Sequence, residues 1–460
     1  MVRIFPDSAS VSRARKPAVF GLLLWPILLG AQTPTQISGI LERLDRLEKE
    51  NQALTEEVKA LRAKLEGPEP DAAAPVPTGG STAAEAPLEE QVRVQDRRIE
   101  EQAQSKVEAS QRFPIRVTGM ALFNAYENSR QSSGSEYPVT ASTPGQAAAG
   151  ATLRQTILGL DYRGPTAVWG ATVHGSVYMD FFPTANNGAL RMRTASIEME
   201  WKSSSILVGL EKPIFNPREP SSLAQVGVSP MTGAGNLWLW LPQIRLEHDV
   251  SFTRSTGLRA QAGVVETREA SPYTGSAAGT LAPARPGLEG RFEFFHNFDD
   301  ERQVEIAPGF HTSQTHFAGL SVPSSLFSLD WSANPWRRFE FSGAFYAGQN
   351  VAPLGNGYGQ GFGVRYGELY TVDSRGGWAQ LTIHTAPRLD FHLFSGQQDD
   401  QNSDLAAGRI GKNLMFGGNL YYRLAPNVIL ALEATQLRTL YIAQGVRINN
   451  HYDLALAYLF

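Results

Sequence analysis

The chain has 460 residues, and its 41 Lys and Arg against 45 Asp and Glu leave a net charge of -4. With no basic excess to neutralise phosphate, nucleic acid is a poor partner. The chain has no Cys, which excludes a disulfide framework, a thiolate metal site and acylation at a lipobox cysteine. Residues 1–31 read as a secretory signal peptide. Arg13, Arg15 and Lys16 form a basic start, Ala18 to Gly30 an apolar core, and Leu29-Gly30-Ala31 offers small residues for cleavage before Gln32. The apolar core is short for a spanning helix, although an uncleaved anchor is the alternative.

Residues 32–66 carry a heptad repeat. Ile37, Leu44, Asn51, Val58 and Leu65 occupy position a, and Ile40, Leu47, Leu54 and Leu61 occupy d. This pattern predicts a coiled coil, whose helix from Ile37 to Leu65 is roughly 43 Å long at about 1.5 Å per residue. Asn51 in the seam would fix register at some cost in stability. A single amphipathic helix packed on its own domain would show a wider apolar stripe than a and d alone. Residues 67–113 hold a Pro/Ala/Gly/Ser-rich linker and then a polar helical stretch whose Val92, Val94, Ile99 and Val107 form no clean face.

From residue 114 to 460 the pattern changes to glycine, aromatics and period-two alternation. The prediction is an all-β fold: a transmembrane antiparallel barrel of about sixteen strands following the α-helical coiled coil. Strands are expected at Ala167–Phe181, Thr194–Lys202, Ser205–Lys212, Leu237–Glu247, Leu258–Val265, Phe339–Gly348, Gly377–His384, Leu414–Arg423, Val428–Leu437 and Val446–Phe460. In the first, Val173, Val177 and Met179 oppose His174, Ser176 and Asp180. The final stretch places Tyr452, Leu454, Leu456, Tyr458 and Phe460 on one phase, with Asp453, Ala455 and Ala457 on the other. Segments of about ten residues with a charged phase and an apolar, aromatic-flanked phase suit a strand between lipid and water. Soluble sandwiches and propellers use shorter strands. Short turns are expected at Arg163-Gly164-Pro165 and Leu424-Ala425-Pro426-Asn427. Long loops are expected at Ser129–Gly150, Glu269–Pro286, Val351–Arg375 and Gln397–Arg409.

Sixteen strands would enclose an aqueous channel. The stretch Pro213–Trp240 is too long and Pro-rich for a turn and too apolar for a solvated loop. One reading folds it into the barrel, with Arg218 and Glu219 near a constriction; the other packs it on neighbouring loops or subunits. Basic residues on the lumen phase are Arg116, Arg154, Arg245, Arg259, Arg291 and Arg423. Acids there include Glu198, Glu200, Glu247, Glu293, Glu433 and Asp453. This mixture permits modest ion selectivity. Arg245 with Glu247, and Arg291 with Glu289 and Glu293, could instead brace the wall. The 8 His show no metal-ligand spacing, and GxSxG, GxxxxGK[ST] and strand-to-helix GxGxxG motifs are absent. No enzyme, cofactor or metal is therefore expected.

The order of signal peptide, heptad helix, linker, barrel and terminal Phe460 resembles the DcaP-like family of trimeric outer-membrane porins. Pro114–Asn128 occupies the place of that family's first strand, and Leu207-Val208-Gly209-Leu210-Glu211-Lys212-Pro213-Ile214-Phe215 that of its loop-leading strand. The resemblance implies a homotrimer in outer-membrane lipid with its coiled coil in the periplasm. It also implies a channel for passive diffusion of small hydrophilic organic solutes, anionic ones among them. A structural tether or adhesin anchored by the barrel is the alternative from another functional class.

Overall fold

The period-two pattern becomes β-structure almost throughout. The computed structural model describes residues 114–182, 189–269 and 279–460. The signal peptide, the coiled-coil seam and the polar segment read from the sequence lie outside the described residues. The strands are β1 (Ile115–Asn128), β2 (Ala148–Thr152), β3 (Ile157–Thr166), β4 (Thr172–Asp180), β5 (Arg191–Glu200), β6 (Ser204–Glu211), β7 (Leu241–Ser251), β8 (Thr256–Thr267), β9 (Arg285–Asn297) and β10 (Gln303–Phe317). Then follow β11 (Leu320–Trp336), β12 (Phe339–Gln349), β13 (Phe362–Arg365), β14 (Glu368–Thr371), β15 (Asp373–Ala386), β16 (Leu389–Asp400), β17 (Ile410–Ala425), β18 (Val428–Tyr441) and β19 (Gly445–Leu459).

All but the β13–β14 hairpin join one antiparallel sheet, which closes where β1 pairs with β19. β2 and β3 are one stave. The lower half of β1 pairs with β3 (Met120 opposite Ile157), its upper half with β2 (Asn124 opposite Thr152), and residues 153–156 interrupt the stave between them. Counted this way, the barrel has sixteen staves, as the alternation predicts.

The two phases face different surroundings. Val117, Phe123, Ile197, Phe292, Phe327, Phe345, Leu393 and Leu456 are exposed on the outside, while Asn124, Arg291, His311, Asp330, Gln380 and His451 are buried on the inside. In water such an apolar belt would drive association, whereas against hydrocarbon it matches its solvent. The fold is a membrane-spanning barrel.

Several boundaries differ from expectation. Arg163-Gly164-Pro165 is not a turn but lies inside β3, where a register shift between Arg163 and Thr166 absorbs the Gly-Pro pair. A bulge tolerates the missing proline N–H. The reversal comes at 167–171, with Trp169 exposed on a short 3-10 turn, so the next strand starts at Thr172. Leu237 and Trp238 precede β7, which starts at Leu241. Residues 351–375 are not all loop, since they hold the β13–β14 hairpin and the start of β15.

Candidate functional site

The interior is organised by residues 212–240, which leave β6 and cross the inside of the barrel before rejoining the wall at β7. Their hydrogen bonds reach staves all round the cylinder. The Ile214 N–H donates to Glu289 Oε2 on β9 at 2.7 Å, and Ser328 Oγ on β11 donates to the Phe215 carbonyl at 3.0 Å. The Ser221 N–H donates to Gln380 Oε1 on β15 at 2.7 Å, and Asn419 on β17 donates to the Ser221 carbonyl at 2.8 Å. Ser222 Oγ donates to Glu433 Oε2 on β18 at 2.6 Å, and Asn124 on β1 donates to the Leu223 carbonyl at 2.8 Å. Arg191 and Arg193 on β5 reach the Gly227 and Val226 carbonyls at 2.6 and 2.9 Å. Only a loop inside the barrel can touch all of these strands. Gly235 shows how closely it packs: a Cβ there would stand 2.1 Å from the Gly377 carbonyl oxygen of β15.

Gln155 was not singled out in the sequence, yet it anchors this loop. The break between β2 and β3 turns it inward, fully buried. Its amide donates to the Ala224 carbonyl at 2.7 Å, and its Oε1 accepts from the N–H groups of Val226 and Gly227 at 2.8 and 2.6 Å. The one available sequence signal was the lapse of alternation at residues 153–156.

Ion pairs gather five of the predicted lumen residues, Arg218, Glu247, Arg259, Arg291 and Glu293, into one cluster. Arg218, from the loop, reaches Asp330 and Glu305 at 2.6 Å and Glu293 at 3.2 Å. Arg291 pairs with Asp330 at 2.7 Å and with Glu293. Arg259 contacts Glu247 at 3.1 Å, Asp249 at 2.9 Å and Glu293 at 3.4 Å. Burial works against the Arg218 charge, but Asp330 and Glu305 outweigh it and push its pKa above the ordinary guanidinium value.

Two expected ladders take other partners. Arg245 does not pair with Glu247, because Arg259 and the Gln261 amide occupy that carboxylate. Arg291 does not pair with Glu289, whose oxygens accept from Ile214 N–H and contact His311 Nδ1 at 2.9 Å. Arg245 has no ion pair among the described residues, and its buried Nε lacks a partner.

The remaining predicted residues lie apart from this cluster. Arg116 is exposed and stands 3.6 Å from Asp161. Glu219 pairs with Lys212 at 2.6 Å, and Arg423 with Asp390 at 2.7 Å. Arg154 lies in the stave break and pairs with Glu136. A second basic group, missed in the sequence, sits nearby: Arg191 and Arg193 share the buried Asp180 and stack over Trp240 at 5.0 and 4.9 Å. At the turn rim a cavity of about 1050 Å³ opens between Arg116, Asp161, His174, Ser176, Ser196 and Glu198.

No protein-family profile and no curated protein matches the chain. Solved structures do. The barrel is similar to the outer membrane channel DcaP of Acinetobacter baumannii, with TM-score 0.62 and 15% identity over 75% of this chain and 97% of that one. It is also similar to an anion-selective porin from Comamonas acidovorans, with TM-score 0.52 and 11% identity over 75% of this chain and 99% of that one. The expected likeness to the DcaP-like family holds at the level of the fold. At these identities the fold is what the two proteins share with this chain.

Proposed function

We propose that this protein is a porin-type channel of a Gram-negative-type outer membrane, carrying small hydrophilic solutes passively down their gradients. The observation that supports it most is the path of residues 212–240. A loop held round the inner wall by hydrogen bonds and by the buried Ile214, Phe215, Leu223 and Met231 packed on wall residues narrows a barrel, as a size filter requires. The cavity of about 1050 Å³ at the turn rim is roomy enough for such solutes.

Anionic organic solutes fit best. Arg245 offers an inward guanidinium with no carboxylate partner among the described residues, and guanidinium groups bind carboxylates strongly. The nine predicted lumen residues, Arg116, Arg154, Arg218, Glu219, Arg245, Glu247, Arg259, Arg291 and Arg423, remain our assignment for the pore lining. In this reading residues 1–31 are removed on export, 32–66 form a periplasmic coiled coil, 67–113 link it to the barrel, and three chains assemble. The small outward residues Ala121, Ala125, Gly175 and Ala195 on β1, β4 and β5 suit a protomer contact, while the opposite side carries Phe292, Phe327 and Phe345 toward lipid.

Planar-bilayer recording of the folded full chain tests this. Stepwise conductance closing in threes is expected. A silent bilayer with verified insertion would reject the channel and leave the tether.

A further inference from the structure

Buried carboxylates on the inner wall almost always face a cation. Asp180 has Arg191 and Arg193, Asp330 has Arg218 and Arg291, and Asp390 has His384 and Arg423. Asp400, Glu433 and Asp453 are the exceptions, and both Asp400 oxygens are filled by hydrogen bonds from Ser374, Gln398 and Gln360, which leaves Glu433 and Asp453. Each of these two is only 5% exposed, and neither has an ion-pair partner among the described residues. They are direct cross-strand partners on β18 and β19. Like charges so placed repel, and a buried charge without a partner is costly.

Their hydrogen bonds leave one oxygen of each carboxylate over. Glu433 Oε2 accepts from Ser222 Oγ and Asn419 Nδ2, while Oε1 has no partner. Asp453 Oδ1 accepts from Asn124 Nδ2 at 3.0 Å, while Oδ2 has no partner.

Other unpartnered buried atoms border the same place. Thr435 and His451 are the next inward pair along β18 and β19. Thr435 Oγ1 and His451 Nε2 lack partners at 5% and 1% exposure. The state of His451 follows from Asn128. That amide donates its Nδ2 to the carbonyls of Ser135 and Glu136, so its Oδ1 accepts. His451 Nδ1 lies 3.0 Å from this Oδ1 and must carry the proton, which makes Nε2 an acceptor. The ring of Tyr137 packs on His451 at 6.0 Å, and its hydroxyl is also buried without a partner. The unfilled capacity here is mainly acceptor, and a positive group satisfies it.

We propose that Glu433 and Asp453 form a site for a hard divalent cation of the calcium type, completed by hydroxyl oxygens of Thr435 and Tyr137 and by water. Among the described residues no group of three or more His, Asp or Glu is placed to hold a metal, so this is a two-carboxylate site. Calcium accepts such mixed oxygen shells and tolerates irregular geometry better than magnesium. His451 Nε2 then accepts from a coordinated water. The site also ties the inward loop down. Glu433 holds Ser222, and Asp453 holds Asn124, which holds the Leu223 carbonyl and accepts from Gln155.

The test uses the full chain, refolded in detergent without lipopolysaccharide so that no other calcium site interferes. Calorimetric titration with calcium chloride, and thermal unfolding with calcium or with a chelator, are compared for wild type and the Glu433→Gln, Asp453→Asn double variant. Wild type is expected to bind one calcium per chain and to unfold at a higher temperature with calcium. The double variant should bind at least tenfold more weakly and lose the calcium-dependent shift. Thr435→Val, which keeps the barrel's shape, should weaken binding several-fold even if the double variant fails to fold. Absence of saturable binding, or equal binding by wild type and Thr435→Val, would overturn the site. So would stability that ignores calcium and falls as pH rises, since the carboxylates would then share a proton. None of these readouts depends on conductance, so they stand apart from the channel reading.

Discussion

Gly119 and Phe460 exchange both backbone hydrogen bonds, at 3.0 Å from Gly119 N and 3.2 Å from Phe460 N, and so close the cylinder at its turn rim. The phenyl ring of Phe460 lies over Gly119: a Cβ on that glycine would stand 2.8 Å from the ring and 2.3 Å from the Ile157 carbonyl oxygen. Gly119→Val should therefore pry apart the seam between the first and last staves. The expected loss is about 1–3 kcal/mol, the usual cost of overpacking. It would be read as a lower midpoint for the mobility change of the folded barrel on unheated gels. Ala347→Val, on the exposed outer face of β12 and away from this seam and from the proposed protomer contact, is the control and should leave the midpoint unchanged.

Leu430 pairs with Leu456 on one side and Tyr422 on the other, both exposed on the outer surface. Arginine at this depth faces hydrocarbon. Leu430→Arg should cost roughly 2–4 kcal/mol, and Val173→Arg on β4 should act alike. Urea unfolding in lipid vesicles measures it. An unchanged midpoint for both variants would mean that this phase of the barrel does not meet lipid.

The barrel was legible because lipid imposes a simple rule on each strand. On β18 and β19 alternation alone assigns every facing, as Glu433, Thr435, His451 and Asp453 inward and Leu432, Tyr452 and Leu454 outward illustrate. Arg291 with Glu293 was also readable, because two residues along one strand share a face. Cross-strand partners were not. Asp330 meets Arg291 only through the registers of β9, β10 and β11, and a one-residue slip would send it outside. The same limit hid the direct opposition of Glu433 and Asp453, and the loss of Glu247 from Arg245 to Arg259. Gln155 was hidden for another reason, since its role depends on an interrupted stave, where the alternation rule lapses.

Arg218 fastens the inward loop to β9, β10 and β11 through three carboxylates. Arg218→Met keeps much of the side-chain volume but strands these acids with one fewer cation. Removing one partner of a buried pair costs about 3–5 kcal/mol, and Arg218 is 21% exposed, so about 2–3 kcal/mol is expected. The loop should then leave the wall intermittently. Single-channel records should show more open-state noise and a change in mean conductance. A quiet trace at the wild-type level would mean that the other anchors, Gln155 and Asn419 above all, hold the loop unaided.

Arg245 tests the solute preference. It faces inward on β7 beside the clustered acids, and among the described residues no carboxylate neutralises it. Its charge is thus available to the lumen, whereas those of Arg291 and Arg218 are already matched. Arg245→Gln removes that charge with a shorter but still polar side chain and leaves the ion pairs of Arg259 in place. Under a potassium chloride gradient the reversal potential should move toward cation preference, and Arg245→Glu should move it further. Arg116→Gln should do little, because Arg116 is highly exposed beside Asp161 at the rim, where salt screens it. If Arg116→Gln shifted the reversal potential more than Arg245→Gln, selectivity would be set at the turn rim and not beneath the loop.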